Sequence, residues 1–187
     1  SNNFNFYNPN RIVFGQGQIA ELANLVPEDA RVLVLFGGQS ARKNGTLDEV
    51  LMALNGRHVE EFGGIEANPS YSTLMRAVEQ IRQHELNYLL AVGGGSVIDG
   101  TKFVAAAVQC EGDAWQEILV NHATNIDKAL PFGSVLTLPA TGSEMNANSV
   151  ITRYETHEKL ALAPRLFIRR FHYWILLRHI PLPPHQS

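Results

Sequence analysis

Apolar positions along the chain follow two rhythms that alternate. Residues 31–36 (Arg-Val-Leu-Val-Leu-Phe), 88–92 (Tyr-Leu-Leu-Ala-Val) and 133–138 (Gly-Ser-Val-Leu-Thr-Leu) are short runs rich in aliphatic and β-branched residues. That is the pattern of strands covered on both faces. Arg11, Ile12, Val13 and Phe14 form a shorter run of the same kind, and 58–62 and 149–153 read as further strands. Between these runs the spacing becomes helical. Ile19, Leu22 and Val26 share a face before Pro27 stops the segment. Leu74, Val78 and Ile81 mark an amphipathic helix, and Val97, Phe103 or Val104, Ala107 and Val108 mark another. Residues 46–54 read as a helix opened by a capping box from Thr46 to Glu49. Trp115 to Leu119 is a weak helical turn, and 121–128 is a polar loop. The alternation predicts an α/β fold, a parallel sheet with helices on both faces.

Composition narrows the setting. The 187 residues suit one large domain, and 45% hydrophobic with 18% charged residues is ordinary for a globular chain. A net charge of -3 gives no reason to expect nucleic acid or a membrane as partner. The one cysteine, Cys110, excludes an intrachain disulfide and a cysteine-based zinc cluster, and suits a reducing compartment. The polar opening from Ser1 to Phe6 lacks the pattern of a secretory signal, so a cytoplasmic location is expected. His58, His84, His122 and His157 lack the i, i+4 spacing of a helical metal site and read as surface or loop residues.

Three of the strands end in small residues. Gly37, Gly38, Gln39 and Ser40 follow the second strand. Gly93, Gly94, Gly95 and Ser96 follow the central one, and Thr137 to Ser143 follow the next. Glycines let a backbone approach a phosphate, and the free amides of a first helical turn point at an anion. The central turn is not the G-x-G-x-x-G fingerprint, and Ser96 with Asp99 fits a plain capping box as well. In parallel sheets ligands bind beyond the carboxyl ends of the strands. Three such loops at one sheet edge point to a nucleotide more strongly than any one of them.

The motifs around these loops resemble one family. Asn68-Pro69, then residues 91–102 (Ala-Val-Gly-Gly-Gly-Ser-Val-Ile-Asp-Gly-Thr-Lys), then 137–146 (Thr-Leu-Pro-Ala-Thr-Gly-Ser-Glu-Met-Asn) recur in that order in the iron-containing (group III) alcohol dehydrogenases. The branch most similar is that of the NADP-dependent aldehyde reductases and butanol dehydrogenases, and the resemblance runs from about Asn2 to Leu160. It implies a dehydroquinate synthase-like nucleotide-binding domain over 1–160, followed in the family by a helical domain. It also implies that Gly94, Gly95 and Ser96 hold the pyrophosphate, with Gly93 beside them. Asp99, the one candidate with a catalytic placement, would line the nicotinamide side. Thr137, Thr141 and Ser143 would contact the adenosine half or the phosphates, and Lys159 the nicotinamide ribose. Asn68 and the loop from Gly37 to Ser40, with Lys43, complete the implied cofactor set. The plainer readings stand beside these: Asp99 as a helix cap, Thr141 with Glu144 as a second capping box, and Lys159 as a solvated surface residue. The family's divalent metal, iron or zinc, is held by one Asp and three His of the helical domain, and no position here corresponds to them.

An NAD-selective site places an acid at the end of the second strand, where it binds the ribose 2′-hydroxyl. Here that place holds Gly37, Gly38, Gln39 and Ser40, followed by Arg42 and Lys43, so NADP(H) is the expected cofactor. The activity implied is hydride transfer between NADP(H) and a small aldehyde or alcohol; a homodimer is compatible with it. A non-catalytic nucleotide-binding remnant and a glycerol dehydrogenase-like sister family are the alternatives.

From about Leu162 the chain changes character, and 161–187 is set apart as a tail. Arg165, Arg169, Arg170 and Arg178 occur there without one acid, beside the apolar run from Tyr173 to Leu177. If ordered, such a tail must pack on the domain or on a partner. It also reads as translation in a shifted frame. His172, Tyr173, Trp174 and Ile175 are encoded by CAY-TAY-TGG-ATH, and reading from the third base of the His codon yields Leu-Leu-Asp for any wobble bases. The family carries Leu-Asp-Pro at about this distance after the residue matching Lys159. The expectation is a truncated dehydrogenase without its metal domain, inactive toward aldehydes.

Overall fold

In the computed structural model, which describes residues 10–13, 18–139, 150–162 and 173–180, six strands form one parallel sheet. They are β1 (Asn10–Val13), β2 (Arg31–Phe36), β3 (His58–Phe62), β4 (Tyr88–Gly93), β5 (Phe132–Pro139) and β8 (Tyr173–Ile180). Their order across the sheet is β1-β8-β5-β4-β2-β3. A separate antiparallel hairpin joins β6 (Val150–Arg153) to β7 (Glu158–Ala161).

Strand periodicity divides the core into two layers. Val32, Val34 and Phe36 of β2, Tyr88, Leu90 and Val92 of β4, and Val135 of β5 are buried under three short helices. These are α1 (Leu22–Leu25), α2 (Ser40–Lys43) and α3 (Thr46–Ala53). The intervening residues Leu33, Leu35, Leu89, Ala91, Phe132 and Leu136 face the other way, under α4 (Tyr71–His84) and α5 (Gly95–Gln109). Because both faces are covered, the strands carry apolar residues at consecutive positions, as their sequence requires. The two long helices pack closely: a Cβ at Gly100 of α5 would stand 3.0 Å from Leu74 Cδ2 of α4.

Helix starts depart from the sequence expectation in two places. At α3 the cap is not Thr46 but the loop before it, since the Thr46 N–H donates 2.9 Å to Asn44 Oδ1 and Gly45 takes a left-handed φ of 80°. At α5 the helix opens one residue earlier than Ser96, with Gly94 as N-cap and no side-chain cap bond. The Ser96 hydroxyl instead donates to the Ala67 carbonyl, so the Ser96–Asp99 capping box is overturned. The helix α4 does carry a side-chain cap: Ser70 Oγ accepts from the Thr73 N–H at 3.1 Å.

The segment set apart as a tail contributes β8, which lies between β1 and β5 inside the sheet. Its register against β5 runs from Phe132↔Tyr173 to Pro139↔Ile180. Trp174, Leu176 and Leu177 are buried there. The described part of the tail, Tyr173–Ile180, therefore packs on the domain. A division at residue 160 would leave β1 without its neighbour, because β1 pairs with β8 alone among the described strands. Among the described residues, no helix is long and apolar enough to cross a membrane.

Candidate functional site

The strand order reverses direction between β2 and β4. From β2 the chain steps outward to β3, and after α4 it returns to the opposite side of β2 as β4. The loops leaving β2 and β4 consequently diverge to opposite faces of the sheet and leave a crevice at their carboxyl ends, the place where such sheets bind ligands.

That crevice is a cavity of about 330 Å³. Its floor is made by Gly37 and Gly38 after β2, by Gly93 at the end of β4, and by Gly94 and Val97 after it. Ser40, Ala41 and Asn44 form one wall, and Thr137, Pro139 and Ile180 the other. The glycines have separate reasons to be there. Gly93 has φ +151°, and a Cβ on it would come within 2.9 Å of Val97 Cγ2. A Cβ at Gly37 would stand 3.2 Å from the Ile65 carbonyl oxygen, while Gly38 faces open space. Gly94 has an ordinary extended backbone, φ -88° and ψ -169°, that does not itself require glycine, and it lines the cavity. Above it begins the fifteen-residue helix α5, whose N-terminus offers amides and a partial positive charge to an anion. Glycine floor and helix start together fit a pyrophosphate.

The cavity gathers Gly37, Gly38, Ser40, Gly93, Gly94 and Thr137 from the expected set. It does not take in Gln39, Lys43, Asn68, Gly95, Ser96, Asp99 or Lys159, while Thr141 and Ser143 lie outside the described residues. Gln39 and Lys43 are exposed on α2 and just before it. Asp99 lies one turn into α5, with Lys102 Nζ 3.9 Å from its carboxylate. Burial pushes the Lys102 ammonium below its usual pKa, and Asp99 offsets part of that. Lys159 is exposed on β7, opposite Thr152 of β6. Asn68 is exposed on the loop that the Ser96 hydroxyl ties to α5.

Asn44, Pro139 and Ile180 were missed by the sequence reading. Asn44 carried a detectable signal, a polar residue preceding Gly45 and a helix. Ile180 carried none, since only strand register brings it beside Pro139. The exposed Arg42 guanidinium donates 2.7 Å to Glu61 Oε1 and lies 5.1 Å over the Phe36 ring. Among the described residues, no group of three or more His, Cys, Asp or Glu is placed to hold a metal ion.

The model of the family "Iron-containing alcohol dehydrogenase" matches residues 9–169, most of the chain. The chain belongs to that family. The match passes beyond Leu160, where the resemblance read from the sequence stopped. The NADPH-dependent aldehyde reductase of Escherichia coli is 56% identical over 162 residues, covering 86% of this chain and 42% of the relative. The "Probable NADH-dependent butanol dehydrogenase 2" of Bacillus subtilis is 44% identical over 172 residues, with 90% and 44% covered. Among solved structures, the Thermotoga maritima NADH-dependent butanol dehydrogenase A superposes with a TM-score of 0.76 at 39% identity, covering 93% of this chain and 44% of that one. The chain thus spans less than half the length of the relatives it matches. Their names divide between NADPH and NADH, so the family by itself does not choose the nucleotide.

Proposed function

We propose that this chain is the nucleotide-binding half of an NADP(H)-dependent alcohol dehydrogenase or aldehyde reductase, acting on a small aldehyde or alcohol. The observation that carries the reading is the meeting of Gly37 and Gly38 with Gly93 and Gly94 at the switch point, beneath the N-terminus of α5. The nicotinamide, when bound, would supply or accept the hydride. The chain's own residues would hold and orient it. Gly94 and the first turn of α5 would take the pyrophosphate, and Thr137, Pro139 and Ile180 would bound the adenosine side. Asn68, Asp99 and Lys159 would belong to the nicotinamide side, through the loops and the hairpin that carry them.

The preference for NADP(H) rests on the absence of a carboxylate at Gly37, Gly38, Gln39 and Ser40, where it would oppose a 2′-phosphate. Titrating the 187-residue chain with NADPH and NADH, read by nucleotide fluorescence, tests both parts. NADPH is expected to bind the tighter of the two. Tighter NADH overturns the preference, and binding of neither overturns the nucleotide site.

A further inference from the structure

The β6–β7 hairpin meets the domain through buried Ile151, through Leu160 packed on the same cluster, and through one charged side chain and a stretch of backbone beside them. Arg153, the last residue of β6, holds its guanidinium 4.9 Å from the Tyr71 ring centroid and 5.6 Å from that of Trp115. Those two rings stand edge to face at 5.3 Å, and Tyr71 leans likewise on Phe103 of α5 at 6.0 Å. Beside this contact the Thr152 N–H donates 3.0 Å to the Pro69 carbonyl, and Ser70 pairs with Thr152 as an isolated parallel bridge.

Tyr71 is the first residue of α4, directly after the Ser70 cap. The preceding loop is braced from within by Glu66, which accepts from the Ser70 N–H at 3.2 Å and the Thr73 hydroxyl at 3.0 Å. One residue on, the Ala67 carbonyl accepts from Ser96 in the first turn of α5. Contacts therefore run without a gap from Arg153 through Tyr71 and the 66–70 loop to the anion-facing turn.

We propose that Arg153 is a positioning residue for nucleotide binding, clamping the hairpin and the 66–70 loop so that this loop braces the first turn of α5. The inference rests on the reading of the cleft as a nucleotide site. It assigns Arg153 an effect on the pyrophosphate and what lies beyond it, and none on the adenosine wall made by Thr137, Pro139 and Ile180. A planar guanidinium stacks on two rings where an ammonium meets them as a point charge, so lysine should serve only in part.

The test compares two ligands on the 187-residue chain and its R153M and R153K variants. NADPH spans the whole site, while adenosine 2′-monophosphate carries no 5′-phosphate and ends before the pyrophosphate. Arg153→Met is expected to weaken NADPH binding about tenfold, as loss of a partly buried cation–π contact would. Affinity for adenosine 2′-monophosphate should stay unchanged, and R153K should fall between. No change in NADPH affinity, or an equal loss for both ligands, overturns the inference. If R153M does not fold, the same comparison on R153K decides it. A wild-type chain that binds neither ligand overturns the cleft reading itself, and this inference with it.

Discussion

The indole Nε1 of Trp174 donates a 2.6 Å hydrogen bond to the hydroxyl of Tyr88, joining β8 to the central strand β4 across 86 positions of sequence. Both side chains are buried, and between them runs Gly133 of β5, paired with Trp174 in the sheet register. A Cβ at Gly133 would collide with the indole, so the glycine is what lets the ring lie flat across the strand. Burial pushes the Tyr88 phenol above its usual pKa, with the Trp174 bond opposing, so its oxygen stays a neutral acceptor.

This seat makes the place of β8 in the domain testable. Trp174→Phe should cost about 1–3 kcal/mol, because the buried Tyr88 hydroxyl loses its partner. Gly133→Val should cost more, since the branched side chain and the indole cannot share the space. Urea unfolding measures both, and a G133V chain as stable as wild type would show that β8 does not occupy this place.

Gly94→Val separates the binding role of the glycine turn from its structural role. The backbone at Gly94 is extended, a conformation open to any residue, whereas Gly93 with φ +151° favours glycine. Nucleotide affinity should fall by roughly tenfold or more, about 1.4 kcal/mol per decade, while the unfolding midpoint holds. Unchanged affinity in a folded variant would mean that the turn serves only the chain path.

Gln39→Asp places a carboxylate beside Gly38 and Ser40, at the end of β2. It should weaken NADPH more than NADH, through repulsion of the 2′-phosphate. An equal effect on both nucleotides, measured by competition titration, would place the 2′ position elsewhere.

Glu60 on β3 makes stability depend on acid. His84 Nδ1 lies 2.6 Å from one carboxylate oxygen and His58 Nε2 2.8 Å from the other, while Gln80 donates at 3.0 Å. Hydrogen bonding, to His84 first and then His58 and Gln80, holds its carboxyl down at about 2, against 4.5 for the free group. A lowered folded-state value stabilises above the unfolded value and loses that contribution as pH falls from about 4.5 through about 2. Glu60→Gln should therefore be less stable than wild type at pH 6, with the gap closing toward pH 2. A gap that does not change with pH would sink the assignment.

Much of the fold was legible because each strand is buried on both faces, which writes a continuous apolar run into the sequence at 31–36, 88–92 and 133–138. The glycine turns were legible for a related reason: a close backbone approach admits few other residues, so Gly37, Gly93 and Gly94 announce themselves. The sequence alone determined the α/β alternation, the edge of the sheet where the glycine turns gather, and the family. Strand order was not local information. Whether β4 lies beside β2, and whether Tyr173–Ile180 enters the sheet, depends on packing between segments far apart in the chain, as between Trp174, Gly133 and Tyr88. The same holds for charge. Arg42 reads as a free cation in sequence, and only the fold brings Glu61 against it. Tertiary structure likewise decided that Ser96 reaches the Ala67 carbonyl instead of capping its own helix, and that Arg153 finds two rings from different segments. A hydrogen bond or a stacking contact is set by distances of a few ångströms, and residues remote in sequence acquire those distances only when the chain closes on itself.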